Sequence, residues 1–368
     1  TQLKAYQLIN TASQLSLVIR STWKKKKQKV NIDLSHLPRD RREALQDLLD
    51  KYSDVFVLDP DEKIQTTPLL EFEIRRKWRI NYPWNSPVIT AMKKTKDEHG
   101  RPKIRFISDF RKINQVIDAP PYPLPLLDDQ IDHLGGATHF SVLDLSDAYY
   151  SVKIKDEDME KSSFNLNGIN YRYRKMPMGV KNSAACMARL AQLAFNDMIG
   201  TDLYIYMDDA VLSSKGDFWQ HLKTLERFFI KLREAKLKVN PQKCEFFKEI
   251  IEFLGHTVSA KGIEPNNLKV KAISDIRYPK KLKELQSFLG MTSFCRRFIK
   301  DYAKIAQPLT DLLKKDAPFE FGQAQRDAFN RLKHSLTHYP IGYKKAPNIG
   351  KIIMTRKLKI LNFSLDKK

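Results

Sequence analysis

Two adjacent carboxylates, Asp208 and Asp209, lie in the stretch Leu203-Tyr-Ile-Tyr-Met-Asp-Asp-Ala-Val-Leu212, between two short apolar runs. Tyr204, Tyr206 and Val211 favour extended backbone, and the acids fall where a hairpin would turn. Neighbouring acids repel and are costly to desolvate, so in a half-buried hairpin they call for a compensating cation. A bare Asp-Asp is more commonly a polar turn. A third acid changes that reading. Asp144 ends an apolar run in Phe140-Ser-Val-Leu-Asp-Leu-Ser-Asp-Ala-Tyr-Tyr-Ser-Val152. One acid at a strand end plus an acid pair in a later hairpin is a way for a sheet to hold two Mg²⁺ ions. Mg²⁺ takes hard oxygen ligands and keeps positions open for phosphate oxygens. Two such ions about 4 Å apart can activate an attacking hydroxyl and stabilise a leaving pyrophosphate.

Tyr206-Met-Asp-Asp209 together with Asp144 resembles a reverse transcriptase. Phe253-Leu-Gly-His256, and Phe288-Leu-Gly-Met291 followed by Arg297-Phe298, narrow the resemblance to gypsy-type LTR retrotransposons and retrovirus-like elements. It covers residues 31–340. The resemblance implies an α+β right-hand polymerase with fingers, a palm of antiparallel sheet plus helices, and a thumb. It implies an RNA-directed DNA polymerase that adds deoxynucleotides to a primer 3′-hydroxyl on an RNA or DNA template, with two Mg²⁺ ions. Asp144, Asp208 and Asp209 would be the catalytic carboxylates, and the backbone carbonyl of Leu145 a further metal ligand. Arg105, Asp147, Ala148, Tyr149, Met178 and Gly179 would meet the incoming deoxynucleoside triphosphate, and Phe253, Leu254 and Gly255 would grip the primer. Tyr149 stands where the family keeps a bulky aromatic that excludes a ribose 2′-hydroxyl. The fingers lysine is Lys94 or Lys96. Lys243 is either a proton donor to pyrophosphate or an ordinary surface lysine.

The chain departs from the family pattern in several places, one of them a longer loop beside Lys94 and Lys96. Met178 replaces the usual Gln or Phe, and Ala184 stands where Pro is common. Phe72–Pro83 runs almost straight into Trp84-Asn-Ser-Pro87, where the family carries a longer segment with a helix.

Several elements must position these residues. Leu37–Val57 reads as a helix with Pro38 in its first turn and a stripe of Leu45, Leu48 and Leu49. Ser86–Met92 and Lys103–Arg111 read as paired strands, and Asp128–Leu134 as a short helix ended by Gly135-Gly136. Ser163–Tyr173 reads as a hairpin turning at Asn167-Gly168. Asn182 or Ser183 would cap a helix carrying Met187, Leu190, Ala194 and Met198 as core. Asp217 would cap a longer one with Phe218, Leu222, Leu225, Phe229 and Leu232 on one face. Residues 265–315 read as helical and basic, with Arg296, Arg297, Lys300 and Lys304 among aromatics, suited to a duplex held through its phosphates. His256 reads as structural. The resulting division is a mobile basic lead-in (1–30), a linker preceding the polymerase (31–70), partly truncated fingers (71–134), a palm with a fingers insertion (135–262), a thumb (263–318), the start of a connection (319–342) and a basic tail (343–368).

A net charge of +22 over 368 residues favours a polyanionic partner, nucleic acid before membrane. No apolar run is long enough to span a bilayer. Cys186, Cys244 and Cys295 lack metal-ligand spacing and suit a reducing, intracellular setting: cytoplasm, nucleus or a virus-like particle. The first residue is Thr, as expected of a fragment or of a product cut from a longer chain. The tail from Tyr343 holds one acid, Asp366, too few for a ribonuclease H metal site. Two rivals to the polymerase stand. One is a retroelement remnant that only binds nucleic acid, and the other is an RNA-making polymerase, which Tyr149 opposes.

Overall fold

The computed structural model describes residues 29–337, except 60–61, 76–83, 97–99, 119–121, 124–125 and 316. The lead-in 1–28, the tail from 338 and most of the shortened stretch before Trp84 therefore lie outside the described residues.

Among the described residues the first helix is α1 (Arg39–Lys51), followed by strand β1 (Glu71–Phe72). Strands β2 (Val88–Lys96) and β3 (Pro102–Ser108) pair antiparallel, Val88 opposite Ser108 and Ala91 opposite Arg105. The second strand is shorter than its sequence pattern suggests, because Arg111–Val116 turns into helix α2. Helix α3 (Leu127–Leu134) stops at Gly135, and Gly136 takes a positive φ.

Strand β4 (His139–Asp144) is central to the molecule. Strand β5 (Lys153–Ile154) pairs parallel with β1, and β6 (Phe164–Leu166) and β7 (Ile169–Tyr171) form the hairpin expected around Asn167-Gly168. Helix α4 (Ser183–Phe195) starts after Asn182, which does not cap it. The Asn182 amide instead donates to the Glu73 carbonyl, 2.7 Å away. Strands β8 (Leu203–Tyr206) and β9 (Asp209–Ser214) lead into helix α5 (Phe218–Glu234). Here the expected cap is present: the Asp217 carboxylate accepts from the Gln220 backbone N–H at 2.9 Å. Strand β10 (Glu245–Lys248) completes a four-stranded sheet ordered β10-β4-β9-β8.

Period-two alternation gives this sheet two cores. Leu143, Leu203, Ile205, Ala210 and Leu212 face the α4 and α5 side, with Met187, Leu190, Leu225, Phe228, Phe229 and Leu232. Phe140, Tyr204 and Val211 belong to the other core, with Ile251, Phe253, Leu285, Phe288 and Phe329. That second core is shared with a three-stranded sheet, β11 (Ile250–Phe253), β12 (His256–Ser259) and β13 (Gly262–Pro265). It is also shared with helices α6 (Asn267–Ser274), α7 (Leu282–Phe294), α8 (Tyr302–Asp311) and α9 (Gln323–Thr337). Helix α9, the start of the expected connection, stacks Phe329 on Phe288 with ring centroids 4.1 Å apart.

The segment read as a linker is part of the first core. Val30, Leu45, Leu49, Val55 and Phe56 are almost wholly buried there. Phe56 and Tyr52 both pack on Phe229, and Phe56 bridges Val239, which in turn bridges Leu145. The α5 face is also wider than its sequence stripe. His221 and Phe228 are fully buried on it, whereas Leu222 sits at its margin.

Candidate active site

The acid pair is divided by the hairpin. Tyr206 pairs with Asp209 across the strands, which leaves Met207 and Asp208 as the two-residue turn. Met207 has φ +60°. A positive φ is costly for a side chain with a Cβ, and such strain collects at functional sites. Behind the turn lies a cavity lined by Tyr122, Met187, Ala191, Ile205 and Met207.

Asp144 and Asp209 are direct cross-strand partners on β4 and β9. By alternation they share the face of Phe140 and Val211, away from α4 and α5. Like charges placed opposite each other destabilise a sheet by roughly 0.2–1 kcal/mol, so the fold maintains this pair at a cost. Asp208 joins them through its backbone, its carbonyl accepting from the Leu145 N–H at 2.8 Å. Leu145 itself is buried. Partial desolvation, then the charges of Asp208 and Asp144, raise the Asp209 carboxyl above the ordinary carboxylate value, while Lys243 pulls the other way. Asp209 is exposed as a residue, so the crowding of carboxylates carries more weight here than burial.

Lys243 is exposed and is also part of the site. Its ammonium donates to Asp144 Oδ2 at 2.8 Å, a bond that raises the lysine value, with smaller contributions from Asp208 and Asp209. Among the described residues, no three acidic, histidine or cysteine side chains close around one point as a finished metal cage. The donor set nevertheless fits a hard divalent cation: three carboxylates at one end of the two inner strands, one of them resisting its own negative charge.

Asp147 has a left-handed φ of +47° and is exposed, and it leads into a single 3₁₀ turn, Ala148–Ser151. Ala148 is buried beneath it. Tyr149 is half-buried, with its hydroxyl 3.7 Å from the Met207 sulfur. Burial, then Asp208 and Tyr206, push its phenol value up. The ring therefore stands over the acid-bearing turn. Met178 and Gly179 lie in the loop before α4, where Gly179 has φ +89° and is exposed. Asn114 holds that loop: its amide donates to the Gly179 carbonyl at 2.9 Å and its oxygen accepts from the Lys181 N–H at 2.8 Å. Sequence reading missed Asn114, because an asparagine inside a short helix carries no signal of a partner 65 positions on. Arg105, Lys94 and Lys96 lie on the β2–β3 ladder, and their side chains fall outside the described residues.

Phe253 is buried at the end of β11, and Leu254-Gly255 form a two-residue turn to His256 with φ of +47° and +75°. That is the pattern of a type I′ turn, in which glycine suits the second position and leucine at the first is strained. His256 is buried and its Nδ1 lies 3.2 Å from the Leu254 carbonyl, a structural role. Burial, then Arg297, hold its imidazole down at about 4. Nearby, Arg297 is committed to Asp128 and Asp132 of α3, which ties the α7–α8 region to the base of β4.

The reverse transcriptase (RNA-dependent DNA polymerase) family matches residues 92–258, which hold all three aspartates, both strained turns and Lys243. The chain belongs to the reverse transcriptase family. Within it, the relatives are gypsy-type. The Retrovirus-related Pol polyprotein from transposon gypsy of Drosophila melanogaster is 36% identical over 265 residues, 69% of this chain and 26% of that protein. The polyprotein from transposon 297 of the same organism is 35% identical over 262 residues, 71% of this chain and 25% of its own length. The chain thus spans about a quarter of the curated relatives it matches. Two solved structures share the fold. A foamy viral protease-reverse transcriptase in complex with dsDNA aligns with TM-score 0.72 at 20% identity, covering 85% of this chain and 71% of that one. The same protein's complex with an RNA/DNA hybrid aligns with TM-score 0.68 at 21% identity, covering 82% and 44%. The right-hand polymerase fold expected from the sequence is therefore the fold of this reverse transcriptase region.

Proposed function

We propose that this region copies an RNA or DNA template by adding deoxynucleotides to a primer 3′-hydroxyl. The observation that carries the reading is the Asp144–Asp209 pair held face to face across β4 and β9, with Asp208 in the adjoining turn. Reverse transcriptases as a family use divalent metal ions, and here Asp144, Asp208, Asp209 and the Leu145 carbonyl are the proposed ligands of two Mg²⁺. Bound there, the ions would offset the negative charge of the triphosphate and make the attacking hydroxyl easier to deprotonate. The protein's own contribution is positional. The β8–β9 turn fixes the acids, Asn114 fixes the Gly179 loop, and Tyr149 closes the space beside the turn. Lys243, already paired with Asp144, stands where a proton could pass to leaving pyrophosphate.

Fingers at 71–134, palm at 135–262 and thumb at 263–318 are the proposed divisions, with one amendment: residues 30–57 belong with the palm core. Two foamy viral complexes contain nucleic acid duplexes, and the basic balance of this chain supports the same class of partner. The test is extension of a DNA primer on an RNA template with Mg²⁺. Asp208→Asn should abolish extension and leave duplex binding nearly unchanged, since it removes charge and little volume. Undiminished extension by that variant would sink the assignment.

A further inference from the structure

We propose that Lys269 is a phosphate-binding residue for the primer strand, its ammonium seated against the Leu254-Gly255 turn. This rests on the polymerase reading above and adds a residue to it.

Three observations converge on that ammonium. Its nitrogen lies 3.6 Å from the centroid of the Phe294 ring. A side chain at Gly255 would collide with it, so the glycine leaves the space that Lys269 fills. Among the described residues no carboxylate pairs with it, whereas Arg297 is taken up by Asp128 and Asp132, and Lys304 lies near Asp301. An aromatic face attracts an ammonium without neutralising it, and the donors turned away from the ring remain free. Lysine chains on a surface are ordinarily mobile. Here the ring and the turn fix the head group, so an incoming anion need not order it.

The position suits a polynucleotide backbone. The turn joins β11 and β12, whose sheet shares its core with Phe140 and Val211, on the same sheet face as Asp144 and Asp209. Phe294 is 38% exposed, stacks with His256 and carries the Lys269 ammonium over its ring, so the seat lies at the surface. Phosphodiester oxygens are the anions that a duplex running along this face presents.

The alternative is that Lys269 only covers Phe294 with its methylene stem. Lys269→Met separates the two, because it keeps an apolar stem and removes the charge. The measurement is the affinity for a primer–template duplex across a salt series. One lost phosphate contact flattens the slope of log affinity against log salt by about 0.9. Lys269→Met should show that loss, and Lys269→Arg should restore most of the slope. An unchanged slope in Lys269→Met overturns the proposal. Failure of the wild-type protein to extend primers would instead strike the polymerase reading and leave the salt measurement standing.

Discussion

Lowering the pH should loosen the palm through one buried imidazole. His221 of α5 is wholly inaccessible to solvent. Its Nε2 lies 2.8 Å from the Ser141 hydroxyl on β4, and its Nδ1 lies 3.0 Å from the Ser214 hydroxyl on β9. The ring therefore ties together the two strands that end in Asp144 and begin with Asp209. Burial, then the neighbouring His139, push the imidazole from 6.5 down to about 3. The unfolded chain takes up a proton below the ordinary value, and the folded chain refuses it until far lower pH. The stability this group contributes is thus complete above the ordinary imidazole value and drains away as pH falls toward the folded one. Each pH unit in that window is worth about 1.4 kcal/mol, so going from about pH 7 to about pH 5 should remove about 2 kcal/mol through His221 alone. Urea unfolding of the wild type and His221→Gln at both pH values isolates this contribution. Glutamine keeps hydrogen-bonding groups and cannot titrate. The variant should be less stable at neutral pH, yet lose about 2 kcal/mol less than the wild type on acidification. Equal losses in the two proteins would refute the argument.

Tyr149→Val should raise ribonucleotide incorporation by roughly one to two decades, from a steric term of about 1–3 kcal/mol, while Tyr150→Val should not. Single-nucleotide extension with matched deoxy- and ribonucleotides decides this, and an unchanged sugar preference in an active Tyr149→Val would place the gate elsewhere. Phe229→Ala should destabilise the protein by about 3–5 kcal/mol, because the ring is fully buried against Tyr52, Phe56 and Phe246. Denaturant melts test it, and a loss under about 1 kcal/mol would mean that residues 30–57 are not packed on α5 as described.

The placement of the acid pair was legible because it is local. Tyr206 to Asp209 spans one turn, and the strand formers on either side fix which residues oppose each other. The Asp144 strand was legible from its apolar run and terminal acid. Helix α5 was legible in its period and its Asp217 cap, but not in full. His221 is polar, and only its two serine partners, on different strands, explain why it can be buried. Lys243 could not be decided from sequence, since a lysine is exposed by default and its pairing with Asp144 spans 99 positions. The same holds for Arg297, which sequence reading assigned to duplex binding and which the fold spends on α3. In each case the missing information is a partner distant in the chain, which no periodicity encodes. The strand read through Arg111 overran because no proline or glycine marks the point where α2 begins.

The burial of residues 30–57 beneath the palm restricts where this polypeptide can be severed. The Val30 N–H donates to Asp50 and its carbonyl accepts from Gln46, so the packing reaches back at least as far as Val30. Nine apolar side chains from Val30 to Phe56 lie buried in the main core. At roughly 1.5–3 kcal/mol each, their removal would match or exceed the net stability of about 5–15 kcal/mol typical of a domain. It would also strip Val239 of its Phe56 neighbour, one bridge away from Leu145. A protease releasing this polymerase from a longer precursor would have to cleave ahead of Val30. A cut within the next two dozen residues would yield a fragment that retains Asp144, Asp208 and Asp209 but can no longer hold the loop beside Asp144 in place.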